Sequence, residues 1–379
     1  MTLAIRRVDG RWGTARFIDA AWQVHEAHVR SGSPTRWVPP LRRVVANTLS
    51  RENPFYEEAD RELFVAERDG HLVGRIAAIE NRRHNRHHGD RVGFFGFFET
   101  VDDPDVSTAL LREAEGWLRE RSLATARGPI SPSMNHESGL LVEGFETAPA
   151  IMTPWNPPHY SRLMEAAGYS GVQDLLGYDI EAGSTLAVPD RVRALAERAA
   201  RKTSVTFRTL DVDVLEQEAR NVLELYCQAW AGNWGFTPPS WDEFWHTARD
   251  LKSVLVDDFS FVAEVNGEVI GFMMVARDIN RVLRHVPSGR LWPKTLVRLA
   301  RDLPRVQRGR IVLMGLRAEY RRRGLFPLFA YEAARRAKEI GAEGAEASWI
   351  LSDNTALTAP MSAMGMHPYK RWRIYETAL

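Results

Sequence analysis

Four consecutive residues, Arg321-Arg322-Arg323-Gly324, stand between an apolar stretch, Ile311-Val312-Leu313-Met314-Gly315-Leu316, and a segment of helical periodicity from Leu325 to Ile340. A glycine turn that feeds a helix offers unpaired backbone N–H groups and the positive end of the helix dipole, about half an elementary charge. Guanidinium groups on the turn add to that charge, and the combination is the chemistry of a phosphate seat. Pro327 fits the helix start, where its missing N–H would have gone unpaired anyway. A second apolar strand, Ala345 to Leu351, follows the helix and ends in Ser352-Asp353-Asn354.

Few groups suited to proton transfer lie near this run. Tyr369 is the nearest phenol, and Glu346 and Asp353 are the nearest carboxylates. Farther away, the insertion Ser131 to Thr153 contains Ser133-Met134-Asn135-His136-Glu137. His136 and Glu137 have the reach and titration range of acid–base groups, and the sequence leaves open whether they lie on a surface loop or line a cleft. His84, His87 and His88 sit among Arg82, Arg83, Arg86 and Arg91 in what reads as a hairpin loop. Neighbouring guanidinium groups oppose a dication there, so no metal site is expected. Cys227 lies in an apolar helical pattern and reads as a core residue.

The elements that position these groups occur twice. Phe64-Val65-Ala66-Glu67-Arg68-Asp69-Gly70 and Phe261-Val262-Ala263-Glu264-Val265-Asn266-Gly267 are matching strands that enter Asp-Gly or Asn-Gly turns, each followed by a returning strand. Two domains are expected, 1–181 and 182–379, joined at the small-residue stretch Ala182-Gly183-Ser184-Thr185. Further strands are expected near Ala4 to Val8, Val92 to Phe98, Ala124 to Gly128 and Val172 to Ile180. Helices are expected near Trp12 to Arg30, Val106 to Arg121, Pro158 to Ala167, Val212 to Trp230 and Trp241 to Leu251. In the first half the turn after Phe98 carries Asp102, Asp103 and Asp105 and no glycine, which would repel a pyrophosphate.

The order of strand, basic glycine turn, helix, strand and Asn resembles the pyrophosphate-binding signature of the GCN5-related N-acetyltransferase (GNAT) superfamily, Gln/Arg-x-x-Gly-x-Gly/Ala. Arg321 and Gly324 match it, while Phe326 departs from its last position. Met364-Gly365-Met366 and Tyr369-Lys370-Arg371 resemble the family's chain ending. The resemblance implies an α/β fold of two tandem GNAT-like domains, each a mixed, mostly antiparallel sheet flanked by helices. It implies acetyl-CoA or a longer acyl-CoA as co-substrate and no metal. In the family's manner, a backbone N–H among Met314, Gly315 and Leu316 would hold the thioester carbonyl. Arg321, Arg322, Arg323, Gly324, Leu325, Phe326 and Asn354 would hold the rest of the coenzyme. The first half then reads as a degenerate copy without a cofactor.

The implied activity is N-acyl transfer to a primary amine by direct attack on the thioester. The family's usual Glu on the fourth strand and Tyr on the last helix are missing, which leaves Tyr369, Glu346, His136 and Glu137 as catalytic candidates. It also leaves open a catalytically silent ligand-binding or scaffold protein. Tandem GNAT-like proteins are similar along most of the chain, including Asn156-Pro157-Pro158 and Trp234-Gly235-Phe236. The superfamily includes bacterial ceramide synthases, so the acceptor is expected among small-molecule or lipid amines, with a long-chain amine as the specific idea. Trp241, Phe244 and Trp245, near the Trp234 loop, would either fill the core or line an apolar acceptor site.

Between the second hairpin and Ile311 lies a basic insertion, 277–310. Lys294, Arg298, Arg301, Arg305 and Arg308 follow helical spacing, Leu296, Leu299, Ala300 and Leu303 occupy another face, and Pro304 interrupts the run. A packed helix, an anionic membrane surface and a polyanion contact all suit this pattern. No nucleic-acid recognition module accompanies it, so nucleic acid is not an expected partner. The 379 residues carry nearly balanced charge, no run that spans a bilayer and a single cysteine. These features point to a reducing cytoplasm, with peripheral contact at the inner membrane face if the basic helix docks there.

Overall fold

A computed structural model describes residues 2–181, 190–211, 213–256, 258–321 and 325–379, without the side chains at 191 and 192. The expectations placed on Arg322, Arg323, Gly324, Val212 and the Ala182-Gly183-Ser184-Thr185 junction lie outside the described residues. The chain forms two compact units that do not follow its sequence halves. One holds Met1–Leu175, Val282–Leu299 and Lys370–Leu379, and the other holds Leu176–Arg281 and Ala300–Tyr369.

The first unit contains β1 (Leu3–Val8), β2 (Ala59–Arg68), β3 (His71–Asn81), β4 (Val92–Thr100) and β5 (Thr125–Gly128). The short strands β6 (Ile130–Ser131), β7 (Glu137–Ser138) and β8 (Leu140–Glu143) follow, then β9 (Ser170–Glu181), whose residues after Leu175 count with the second unit. The second unit contains β10 (Thr206–Thr209), β11 (Phe261–Val265), β12 (Glu268–Arg277), β13 (Arg308–Leu316) and β14 (Gly344–Leu351). The last strand, β15 (Pro368–Ala378), counts with the first unit from Lys370 onward.

Both units use one plan. β1 to β4 pair antiparallel in order and β4 pairs parallel with β5; β10 to β13 pair antiparallel in order and β13 pairs parallel with β14. The sequence repeat is reproduced in detail. Asp69 and Gly70 have φ of 51° and 81°, and Asn266 and Gly267 have 52° and 80°, the left-handed pair that a two-residue turn between twisted strands demands. Each hairpin also shifts register at the same place, between Ala66 and Glu67 in one copy and between Ala263 and Glu264 in the other. The fold is therefore the expected α/β tandem, with helices packed on mostly antiparallel sheets.

Two local expectations are corrected, for the histidine segment and the basic insertion, and the aspartate turn gains a structural role. His84, His87 and His88 lie in a short helix, Arg82–His88, and His84 is buried against Phe94 where a solvated loop was expected. Burial and the neighbouring cations lower its pKa to about 3. The Asp102 to Asp105 turn is a helix start: Asp103 caps the helix Pro104–Glu120 by accepting from the Asp105 N–H at 2.9 Å, and it pairs with Arg68 at 2.6 Å. Its carboxylate thus occupies the helix end that a phosphate would need. In the basic insertion, the helix spans Pro293–Asp302 only; Arg305 lies in a 3-10 turn, Leu303–Arg305, and Arg308 already belongs to β13.

The C-terminal strand closes the first unit. β15 pairs with β5 from Tyr375↔Gly128 to Ala378↔Thr125 and with β8 at Trp372↔Leu141. Trp372 is fully buried and its indole donates to the Pro154 carbonyl at 2.9 Å. Trp372→Ala should cost about 3–5 kcal/mol of stability, read as a lowered denaturant midpoint in urea. A midpoint within experimental error of wild type would show that β15 is dispensable. His84 makes a second prediction. Because its pKa is depressed in the fold, the unfolded chain binds the extra proton first, and stability should fall as pH drops from about 6.5 towards 3. His84→Gln should flatten that acid limb.

Candidate functional site

In the second unit the parallel strands β13 and β14 are paired from Arg308↔Gly344 to Ile311↔Ala347, and no further pair joins them among the described residues. β13 continues to Leu316, still paired on its other side with β12. Among the described residues no strand pairs with the edge of Val312–Leu316 on the side away from β12. Strand parity decides which groups face that edge. The Arg317 N–H donates to the Ile270 carbonyl at 2.9 Å, and the pairs before it are Leu316↔Gly271, Gly315↔Phe272 and Met314↔Met273. Bonded and non-bonded pairs alternate along an antiparallel ladder. Gly315 is thus tied to β12, whereas the N–H and C=O groups of Met314 and Leu316 turn away from it. Trp230, the last residue of the helix Leu215–Trp230, donates its indole N–H to the Met314 carbonyl at 3.1 Å.

Of the three backbone positions named from sequence, Met314 and Leu316 therefore turn their N–H groups away from β12 and Gly315 does not. Gly315 serves packing: a Cβ there would meet the Phe272 ring at 2.6 Å and Ala229 at 3.3 Å. Trp230 was not singled out by sequence reasoning. Its only signal was its place as the final aromatic of an amphipathic helix ahead of Asn233-Trp234-Gly235.

Arg321 ends a short helical turn, Ala318–Arg321, and is exposed. Leu325 is fully buried and opens the helix Phe326–Glu339, whose start has no side-chain cap. An uncapped helix start keeps its N–H donors available. Phe326, the departure from the family signature, packs its ring against the apolar cluster of Leu176, Tyr178, Ile350 and Met361. Asn354 follows β14 and starts the helix Thr355–Ala363, its carbonyl accepting from Leu357 and Thr358 at 3.0 Å.

The structure joins Glu346 and Tyr369, which are distant in sequence. The Tyr369 hydroxyl donates to one Glu346 carboxylate oxygen and the Ser348 hydroxyl to the other. Arg310 donates to the Ser348 Oγ at 2.9 Å and lies 4.9 Å from the Trp349 ring centre. Glu346, Ser348 and Arg310 are buried. Burial and the Glu346 carboxylate push the Tyr369 phenol well above its usual pKa, so it stays protonated. The cluster sits at the closed end of the strand splay, since Arg310 is paired with Glu346. Met314 is four residues farther along β13, about 13 Å at roughly 3.3 Å per residue. That exceeds direct hydrogen-bond reach.

His136 and Glu137 belong to the first unit. Ser133 Oγ lies 2.9 Å from His136 Nδ1, and Glu137 is exposed on β7. The aromatic candidates divide. Phe236 and Phe244 are buried with Tyr226, whereas Trp241 and Trp245 are half-buried and stacked at 5.7 Å.

The first unit contains the same splay, because the β4 and β5 pairs end at Phe94↔Arg127. Here the chain itself fills it. Gly96 abuts the Ile130 carbonyl so closely that a Cβ would lie 2.0 Å away, and the Phe97 N–H donates to the Ser131 Oγ at 2.8 Å. Aligned through the repeated hairpins, Glu99 occupies the position of Gly315. Its half-buried carboxylate accepts from the Tyr160 hydroxyl at 2.8 Å and lies 3.2 Å from His25 Nε2 and 3.5 Å from Arg75. Burial alone would raise the Glu99 pKa; His25 and Arg75 hold it below the usual carboxylate value.

No protein-family model matches the sequence. The chain is 34% identical over 352 residues to the bacterial ceramide synthase of Caulobacter vibrioides, covering 90% of both chains. It is 32% identical over 349 residues to Protein YghO of Escherichia coli K12, covering 90% of this chain and 88% of that one. Among solved structures, a tandem GNAT protein from the clavulanic acid biosynthesis pathway shares the fold, with a TM-score of 0.59 at 13% identity over 100% of this chain and 98% of that one.

The buried cluster yields a stability test. Glu346→Ala would strip the Ser348 and Tyr369 hydroxyls of the carboxylate they donate to and should cost about 1–3 kcal/mol for each. Tyr369→Phe removes one hydrogen bond to a carboxylate and should cost about 1–3 kcal/mol. The double variant should lose less than the sum, because the two groups form one network. Strict additivity in urea unfolding would separate them.

Proposed function

The chain belongs to the tandem GNAT-like proteins of the GCN5-related N-acetyltransferase superfamily, and from that premise we propose that it is an acyl-CoA-dependent N-acyltransferase acting on a long-chain primary amine at a membrane surface. The edge of β13 beyond Ile311 carries this reading. There the N–H groups of Met314 and Leu316 turn away from β12, where a thioester carbonyl would be held, whereas in the first copy Gly96 and Phe97 meet Ile130 and Ser131. Arg321, Arg322, Arg323, Gly324 and the uncapped helix start at Leu325 and Phe326 would take the pyrophosphate, with Asn354 beside the coenzyme arm.

In this mechanism the neutral amine attacks the thioester carbon, a C–N bond forms, and the developing oxyanion rests on a β13 backbone N–H. The C–S bond then breaks, the thiolate leaves with a proton, and the amine nitrogen gives up its own to water or a base. Holding both reactants in line supplies much of the acceleration. Glu346 and Tyr369 act at a distance, by fixing the closed end of the splay. A ceramide is the amide of a long-chain amino alcohol, so the similarity to a protein bearing the ceramide synthase name supports a long-chain acceptor.

Calorimetric titration and an acylation assay test the reading together. Long-chain acyl-CoA should bind more tightly than acetyl-CoA, by about 0.8 kcal/mol for each methylene buried. Replacing Arg321, Arg322 and Arg323 by Ala should weaken both donors about tenfold or more, since a charge-assisted bond to phosphate contributes about 1.5–3 kcal/mol. Acyl-CoA binding without turnover of any long-chain amine would assign the silent-protein alternative. No binding at millimolar concentration would remove the acyl-CoA reading altogether.

A further inference from the structure

The helix Pro293–Asp302 is amphipathic in the inverted sense. Trp292, Leu296 and Val297 are 47%, 52% and 66% exposed, and Pro293 and Ala300 beside them are exposed too. Thr295 is buried, while Arg298, Leu299 and Asp302 are half-buried on the opposite side. At about 100° per residue, the exposed apolar residues share one arc roughly 140° wide. A core-facing helix would hide that arc. Here the polar side packs on the protein and the apolar side faces solvent.

Charge surrounds the arc. Arg284, Arg290, Lys294, Arg301 and Arg305 are exposed along the same segment. The only carboxylate between Ile279 and Gln307 is Asp302, which Arg301 already engages at 2.7 Å. The Lys294 ammonium lies 5.2 Å from the Trp292 ring centre, its stem following the aromatic face. An apolar arc with an aromatic residue at one end and a cationic border fits the boundary between lipid headgroups and acyl chains. A second copy of the same surface would instead set cation against cation.

We propose that this helix docks the protein on an anionic phospholipid bilayer, with Trp292, Leu296 and Val297 inserted among the acyl chains and the bordering cations on the headgroup phosphates. The inference rests on the membrane-surface reading above and assigns its contact to this segment. Among the described residues no helix is long and apolar enough to cross a membrane, so the attachment is interfacial.

Flotation with vesicles of phosphatidylglycerol and phosphatidylcholine tests it, with pure phosphatidylcholine vesicles as the reference. Wild type should float with the anionic vesicles in low salt and release as salt rises. Leu296→Gln with Val297→Gln should abolish flotation without lowering the melting temperature, because both side chains already face water. Lys294→Glu with Arg301→Glu and Arg305→Glu should weaken partition into anionic vesicles roughly a hundredfold. All variants should keep wild-type acyl transfer to a water-soluble amine, which separates docking from catalysis. Wild type that stays unbound, or a Leu296 and Val297 variant that floats like wild type, overturns the proposal while leaving the acyltransferase reading intact. Self-association of wild type that the same variant abolishes would overturn it in favour of a second copy.

Discussion

Two parallel strands that part company impose the central constraint on this protein. Every second residue beyond the last pair turns an N–H and a C=O towards the gap, and buried backbone groups are rarely left without a partner. The two copies answer the same demand differently. In the first, Ser131 takes the Phe97 N–H and Ile130 presses on Gly96, so the strand edge is closed by its own chain. In the second, Trp230 caps the Met314 carbonyl alone, and the alternation of the ladder leaves N–H groups facing the gap. The same splay occurs twice, and local sequence decides what meets each strand edge.

Buried charge follows the same division. Glu99 stands where the second copy has Gly315, held by Tyr160, His25 and Arg75, and a carboxylate there repels the electron-rich oxygen that a thioester would bring. Asp103 completes the closure by capping the helix whose counterpart starts uncapped. The second copy carries its carboxylate on Glu346, at the closed end of the splay, where the Tyr369 and Ser348 hydroxyls donate to it and Arg310 donates to Ser348. A buried acid with such partners is stable only as a complete set, since removing one member strands the others.

Much of the fold was legible because its signals are local. The repeated Phe-Val-Ala-Glu strands with Asp-Gly and Asn-Gly turns specify hairpins by backbone chirality, and the helices from Val106 and from Leu325 announce themselves by periodicity. The histidine segment was misread because a run of cations resembles a solvated loop in composition, while the burial of His84 against Phe94 is a tertiary event. Likewise, the three aspartates after Phe98 showed their repulsion of phosphate in sequence, but not that one of them caps a helix.

The sequence by itself determined the tandem plan, the turn chemistry, the cationic approach to a helix start and the likeness to acyl-CoA enzymes, because residue type and spacing carry these directly. Only the tertiary structure decided which backbone N–H groups of β13 turn away from β12, since that depends on ladder parity counted from a bond between Arg317 and Ile270. It also paired Glu346 with Tyr369, placed Trp230 on the Met314 carbonyl and turned the apolar face of Pro293–Asp302 outward. A hydrophobic period reveals that a helix has two faces. Which face meets water is fixed by what packs against it, and that partner is remote in the chain.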